Sequence, residues 1–320
     1  MQVSLDKGAV PSPSLGFAVV SLGVFDGVHL GHQAILKANV DAARRRGAVP
    51  TVVTFAAHPK AVLLGRGPRT LTTLAHRLEL FERAGIEHAV ALPFDEALRD
   101  TPARVFVEEF LVKSLEAKHF VLGFDSQFGA DRGGNAQLLR DLGHSTEVVP
   151  KVEVDLRAVS STAIREAVEL GDLAMAARML GRRVSVLGEV VPGAQLGRKL
   201  GFPTANLDLH HELHPPVGVY ACLAHVLRAG SASDVAETRK AVCNVGFRPT
   251  VDGSPPVAPI VEAHLLDFEG DLYGERLELE FVAALRGEQK FEGLDALKDQ
   301  IARDVADARE CLRAEVEVPA

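Results

Sequence analysis

Two kinds of apolar pattern divide the chain. From residue 17 to about 180, unbroken apolar runs alternate with stretches whose apolar residues recur every three or four positions. Short runs suit strands buried on both faces, and the longer period suits helices packed against them. FAVVSLGVF (17–25) reads as the first strand. GHQAILKANVDAARRRG follows as a helix with Ile35, Leu36, Val40 and Ala43 inward and Gly47 as its stop. PTVVTF (50–55), IEHAVALPF, KHFVLGF and STEVVP read as further strands. LAHRLELFERAG, a segment running through Leu115, and GGNAQLLRDLG read as the intervening helices. The middle one is expected to open with Thr101 as N-cap and Pro102 at the first helical position. This alternation predicts an α/β doubly wound parallel sheet. Residues 1–14 (MQVSLDKGAVPSPS) read as a loose leader.

After Arg183 the pattern changes. VSVLGEVV, GVYACLAHVL, RKAVCNVGF, APIVEAHLLDF and GERLELEFVAAL are strand-like, with turn residues between them. Leu277, Leu279 and Phe281 alternate with Glu278 and Glu280, as on a half-exposed strand. This half is expected to form a mainly antiparallel barrel or sandwich. Leu294, Leu297, Ile301, Val305, Ala308 and Leu312 then form one apolar stripe on a long terminal helix that packs on it. The boundary falls near residues 181 to 184, giving domains 1–182 and 183–320.

Charge and cysteine usage narrow the function classes. A formal net charge of −8 over 320 residues argues against a nucleic-acid binder. The densest basic patch, Arg44 to Arg46, sits at a helix end, where it complements the helix dipole. Cys222, Cys243 and Cys311 are scattered, which suggests neither a disulfide framework nor a zinc site. The N-terminus does not read as a signal peptide, and no apolar run approaches the ~18 residues of a membrane span. Cytoplasmic placement and small-molecule partners, with neither nucleic acid nor membrane, are expected.

In an open α/β sheet, ligands bind at the carboxyl ends of the strands. In the first half the polar clusters stand there: FDGVHLGH, AAHPK, FDEALRD and FDSQFGADRGG follow successive strands, and SSTAIR comes shortly after the fifth. His29 and His32 bracket Gly31 at a helix start. Two imidazoles beside free backbone N–H groups make an anion site, and Gly31 lets a phosphate approach the backbone. Plain helix-start histidines are the competing reading, and zinc lacks a third ligand of clear spacing. Ser160, Ser161 and Thr162 can cap a helix with Arg165 on its first turn, which suits either capping alone or an outgoing polyphosphate.

The second half carries its own constellation. VVPGAQLGRKLGFPTANL places Gly193, Gly197 and Gly201 around Arg198 and Lys199, without a Walker motif. Such glycines serve as turns or as a phosphate loop. After Pro203, Thr204 and Asn206 offer oxygen ligands for a phosphate-bound Mg²⁺. Glu262 stands on an apolar strand, where a lone carboxylate needs a partner or a task. CNVGFRPT supplies a second glycine-containing loop and DFEGDLYG an acidic turn. Asp267, Glu269, Asp271 and Glu278 have calcium-loop spacing, but Leu272 stands where that loop needs glycine. His210, His211 and His214 are expected in a solvated loop.

GVFDGVHLGH, GFDSQFG and VSSTAIREA, in that order, resemble the adenylyltransferase domain of the prokaryotic bifunctional riboflavin kinase/FAD synthetase family, and more broadly the HxGH nucleotidyltransferases. GRKLGFPTAN, NVGFRPT, VEAHLLDF, DLYG and the final helix resemble that family's riboflavin kinase domain, a six-stranded antiparallel barrel. The resemblance implies ATP-dependent phosphorylation of riboflavin to FMN, then transfer of AMP from ATP to FMN, giving FAD and pyrophosphate. It implies charge stabilisation by His29 and His32, with Gly23, Phe25, Asp26, Gly27 and Gly31 at the nucleotide phosphates. It implies Glu262 as general base, Thr204 and Asn206 on Mg²⁺, and Asp125, Asn244 and Arg248 on the flavin side. Two departures stand out: Ser126 and Gln127 replace an aromatic and a basic residue, and Ala56 and Ala57 replace an acidic residue and a proline. They motivate an alternative, an active kinase with a degenerate nucleotide- or flavin-binding N-terminal module.

Overall fold

The computed structural model describes residues 1–5, 16–59, 67–193, 195–210, 212–227, 235–247 and 260–315. They pack as two compact units, Met1–Ser161 and Thr162–Ala320.

The first unit is built on six parallel strands in the order β1-β4-β3-β2-β5-β6. In chain order these are β1 (Gln2–Ser4), β2 (Ala18–Leu22), β3 (Val49–Phe55), β4 (His88–Leu92), β5 (Ala117–Gly123) and β6 (Ser145–Val149), followed by a small antiparallel pair, β7 (Glu153–Val154) and β8 (Arg157–Ala158). β2 and β4 are buried along their whole length, which explains their unbroken apolar sequences. Helix α1 (Leu30–Arg46) follows β2, and α2 (Leu74–Arg83) follows β3. α1 ends at Gly47 in the left-handed conformation (φ 59°), as its sequence requires. Asn39 lies wholly buried on its inner face, where its Nδ2 donates to Val19 O, Ser21 Oγ and Thr51 O. That one side chain fixes the height of α1 over β2 and β3. The core on one face gathers Leu36, Val52, Phe81 and Ile86. A larger cluster includes Val20, Leu92, Phe106, Leu111 and Phe120.

Two expectations for this unit need correction. Residues 2–4 are not part of a loose leader: β1 pairs in parallel with His88–Val90 of β4. Three residues carry too little pattern to register as a strand. The helix after β4 begins after Pro102, with Ala103–Val105 in α geometry and Phe106–Ser114 in π geometry. Thr101 does not cap it; its hydroxyl donates to Ala97 O, one turn back.

The second unit opens with part of α3 (Ser161–Glu169) and α4 (Leu173–Leu180). Its centre is a closed barrel, β10-β13-β12-β11-β14-β9, with every pairing antiparallel. The strands are β9 (Ser185–Val191), β10 (Ala205–Asp208), β11 (Gly218–Leu227), β12 (Val235–Gly246), β13 (Ile260–Leu265) and β14 (Arg276–Arg286). Closure leaves no unpaired edge. The sequence shows β10 only as the motif PTANL, because Asn206 interrupts its apolar run. Asn244, which reads from sequence both as part of the strand-like run RKAVCNVGF and as part of the loop CNVGFRPT, lies inside β12, opposite Val219 of β11. Helix α5 (Leu294–Cys311) packs Val305, Ala308 and Leu312 against Val219, Ala221 and Leu223. The N-terminal end of its stripe does not pack in this way: Leu294 is 58% exposed. His214 is buried rather than solvated and donates from Nδ1 to Pro215 O (2.7 Å); His211 lies outside the described residues. The would-be calcium ligands disperse: Asp267 pairs with Arg309, while Glu278 is buried beside Ser185.

Candidate functional site

The strand order reverses at β2, with β3 on one side and β5 on the other. In an open parallel sheet such a reversal opens a crevice at the carboxyl ends of the strands. The loop Gly23–His29 crosses it. Phe25 (φ 54°) and Val28 (φ 38°) adopt left-handed backbone, which bulky and β-branched residues rarely do. Several bonds hold the loop there. Buried Asp26 accepts backbone N–H groups from Leu71 (2.9 Å) and Thr72 (3.1 Å) at Oδ1. Gly27 N donates to Thr72 Oγ1, and Ser161 Oγ donates to Asp26 O (2.8 Å). Ser161 thus ties the start of the SSTAIR segment to the loop. Buried Arg77, which the sequence presents only as one polar residue on an amphipathic helix, donates to Val24 O, Thr54 Oγ1 and Phe55 O.

The outcome is the placement of two imidazoles. His29 is the N-cap of α1, its Nδ1 accepting from His32 N at 3.4 Å. The two rings stack with centroids 3.6 Å apart and planes 17° from parallel. Phe25 meets the His32 ring edge-on at 5.2 Å and Phe81 at 5.5 Å, so the strained residue links the core to the histidines. A Cβ on Gly31 would lie 3.2 Å from His29 Cε1, so a larger residue would crowd this ring. A Cβ on Gly23 would press on the Phe25 ring at 3.3 Å. The stacked rings lie beside the first-turn N–H groups of α1, an arrangement whose chemistry suits an anion.

The other first-half candidates stand on loops after β3 and β5 and at the start of α3. Gly123 closes β5, and Ser126 Oγ accepts from its N–H (3.0 Å), making the tight turn in which Asp125 is exposed. Ala56 and Ala57 are exposed just after β3. Ser160 is half-buried before α3, Thr162 is exposed and Arg165 half-buried on it.

In the second unit the barrel register does the assembling. Asn206 of β10 is directly opposite Glu262 of β13, which is directly opposite Asn244 of β12. Cross-strand partners share a face, so these three form one row across three strands. The row lies on the face opposite the buried Val261, Ala263 and Leu265. Asn206 is itself buried, and its Oδ1 meets no hydrogen-bond partner among the described residues. Thr204 lies two residues before it. His264, two residues after Glu262, holds Pro203 by its Nδ1–H to Pro203 O (2.7 Å), with Phe202 edge-on to its ring.

The glycines of the preceding loop permit close approach. A Cβ on Gly193 would fall 2.2–2.6 Å from the Asn206 amide. One on Gly197 would fall 2.4 Å from Phe202 O and 3.3 Å from Thr204 Oγ1. Gly201 (φ 90°) ends the short helix Leu196–Leu200 that exposes Arg198 and Lys199. A cleft of about 470 Å³ is lined by Gln195, Arg198, Pro203 and Thr204, by Ala263 and Leu265 of β13, and by Phe268–Tyr273, the acidic turn. Lys199, Asn206 and Glu262 are not among its lining residues. Arg248 lies outside the described residues.

Comparison with known proteins matches both halves. The family model for FAD synthetase covers residues 13–163, and that for riboflavin kinase covers residues 180–312. Bifunctional riboflavin kinase/FMN adenylyltransferases from Haemophilus influenzae and Escherichia coli K12 are 36% and 37% identical, each over 91% of this chain and 92% of their own. A crystal structure of a Streptococcus pneumoniae protein, described there as a macrolide-efflux protein, matches with a TM-score of 0.79 at 31% identity, covering 96% of this chain and 98% of its own. With both halves matched over nearly its whole length, the chain belongs to the bifunctional riboflavin kinase/FMN adenylyltransferase family.

Proposed function

We propose that residues 183–320 transfer the γ-phosphoryl group of ATP to riboflavin, giving FMN, and that residues 1–182 transfer AMP from a second ATP to FMN, giving FAD and pyrophosphate. The carrying observation is the Asn206–Glu262–Asn244 row across three barrel strands, with Gly193 close against the Asn206 amide.

In the kinase step the ribityl 5′-hydroxyl is the nucleophile. Glu262 takes its proton as the oxygen bonds to the γ-phosphorus and the bond to ADP breaks. Thr204 and Asn206 are the residues that would hold Mg²⁺. The orphaned, buried Oδ1 of Asn206 fits an oxygen-seeking cation. Bound there, the ion supplies neutralisation of phosphate charge. Gly193, Gly197 and Gly201 let the loop backbone approach the phosphates, with Arg198, Lys199 and Pro203 along it, while Asn244 and Arg248 address the flavin.

In the adenylyl step an oxygen of the FMN phosphate bonds to the α-phosphorus as the bond to pyrophosphate breaks. His29 and His32 donate to the oxygens on which charge builds, the role that preorganised donors fill elsewhere. Ser160, Ser161, Thr162 and Arg165 address the departing pyrophosphate, and Asp125 the flavin phosphate. The test is the product profile of purified protein with riboflavin, ATP and Mg²⁺. FMN followed by FAD is expected; no flavin product overturns the reading, and FMN without FAD removes its adenylyl half.

A further inference from the structure

The histidine corner is held by a residue outside its own motif. Arg77, on α2, is 4% exposed. Its Nη1 donates to Val24 O (2.7 Å) and Thr54 Oγ1 (3.0 Å), and its Nη2 to Phe55 O (2.9 Å). Thr54 Oγ1 donates in turn to Val24 O (3.1 Å). One planar fork therefore clamps the carbonyl just before the strained Phe25 to the carboxyl end of the neighbouring strand.

A buried guanidinium is a costly way to close a turn. Burial disfavours its charge, and the charge of buried Asp26 works against that penalty. Asp26 is the residue on the far side of Phe25. The two buried charges thus bracket the phenylalanine whose ring meets His32 edge-on: Arg77 holds the carbonyl before it, and Asp26, after it, is held by the Leu71 and Thr72 N–H groups. Strain over-determined in this way persists only where surrounding bonds enforce it. A lysine would offer the charge without the fork, and no neutral side chain reaches all three acceptors.

We infer that Arg77 is a positioning residue for adenylyl transfer: it sets the Val24–Phe25 peptide so that Phe25 holds His32 in the stack with His29. It touches no substrate. The inference rests on the adenylyltransferase reading of the first half. It separates this arginine from the phosphate-facing ones: removing it disturbs the geometry of the transition state more than the capture of ATP.

The full-length chain carrying Arg77→Met, Arg77→Lys or Thr54→Val is assayed at 20 °C in two reactions, FAD from FMN and FMN from riboflavin, each with ATP and Mg²⁺, alongside the unaltered chain and a melting curve. For Arg77→Met, kcat for FAD formation is expected to fall roughly 100-fold, the scale of an ångström misplacement, while KM for ATP moves less than about threefold. Arg77→Lys recovers part of that loss, Thr54→Val shows a smaller loss of the same kind, and FMN formation is unchanged in all three. If Arg77→Met does not fold, Thr54→Val carries the test, since it keeps the charge and removes one clamp. A lower melting temperature with unchanged kcat for FAD would overturn the inference and leave the adenylyltransferase reading standing. So would a loss confined to KM for ATP. If the unaltered chain makes FMN but no FAD, the adenylyltransferase reading fails and the inference falls with it.

Discussion

Glu262 illustrates how much one position can say by itself. It stands between Val261 and Ala263, both buried, on a strand whose other polar residue, His264, holds the neighbouring loop. A carboxylate in such a run was legible from sequence as a group with a task. Its partners were not, because Asn206 and Asn244 are 56 and 18 residues away in sequence and only the barrel register brings them together. Glu262→Gln should lower FMN formation at least ~100-fold, the usual worth of a positioned base, and leave conversion of supplied FMN to FAD intact. His32→Ala should do the reverse, with a loss on the order of 100-fold or more in FAD formation. Equal loss of both products from either change would refute two independent centres. Arg77 marks the opposite extreme. On an amphipathic helix an arginine reads as a solvated residue, and nothing in the local pattern says that it turns inward to the carbonyl of a loop after β2 and that of the last residue of β3.

Elements were legible where their pattern was long. The unbroken run of β2 and the alternation along β14 each announce their geometry, and Gly47 announces where α1 stops. β1 is too short to announce itself, and β10 is masked by the polar residues that matter most in it. Its closeness to the glycine loop gives a direct test. Gly193→Ala places a methyl group at 2.2–2.6 Å from the Asn206 amide, so one of the two must shift. FMN formation should fall at least ~10-fold, with FAD formation from FMN unaffected; an unchanged rate would mean that Asn206 does not need its present position. The parallel sheet carries a pH signature of its own. His88 on β4 and His119 on β5 are both buried, with burial holding each below its ordinary 6.5. Below that value the unfolded chain binds protons that these folded histidines resist. Their contribution to stability is therefore full above pH 6.5 and is lost as pH falls through the depressed folded values. Denaturant unfolding of the full chain should show the first unit weakening between neutral and mildly acidic pH, and His119→Gln should flatten that dependence. A dependence left unchanged by this substitution and by His88→Gln would assign it elsewhere.

At the scale of the whole chain, two architectures stand in sequence: an open parallel sheet and a closed barrel. Their difference has a consequence for the timing of backbone opening. β1 contributes three residues to the rim of its sheet, with one neighbour, β4. Every barrel strand has two, and β11 is bonded to β12 on one side and to β14 on the other over nearly its whole length. An amide at a rim can swap its proton for deuterium through local fraying, whereas one in a closed ring must wait for the ring to break. In heavy water the amides of Val3 and Ser4 should therefore exchange early. Those of Tyr220 to Val226 should persist to the end and be released together.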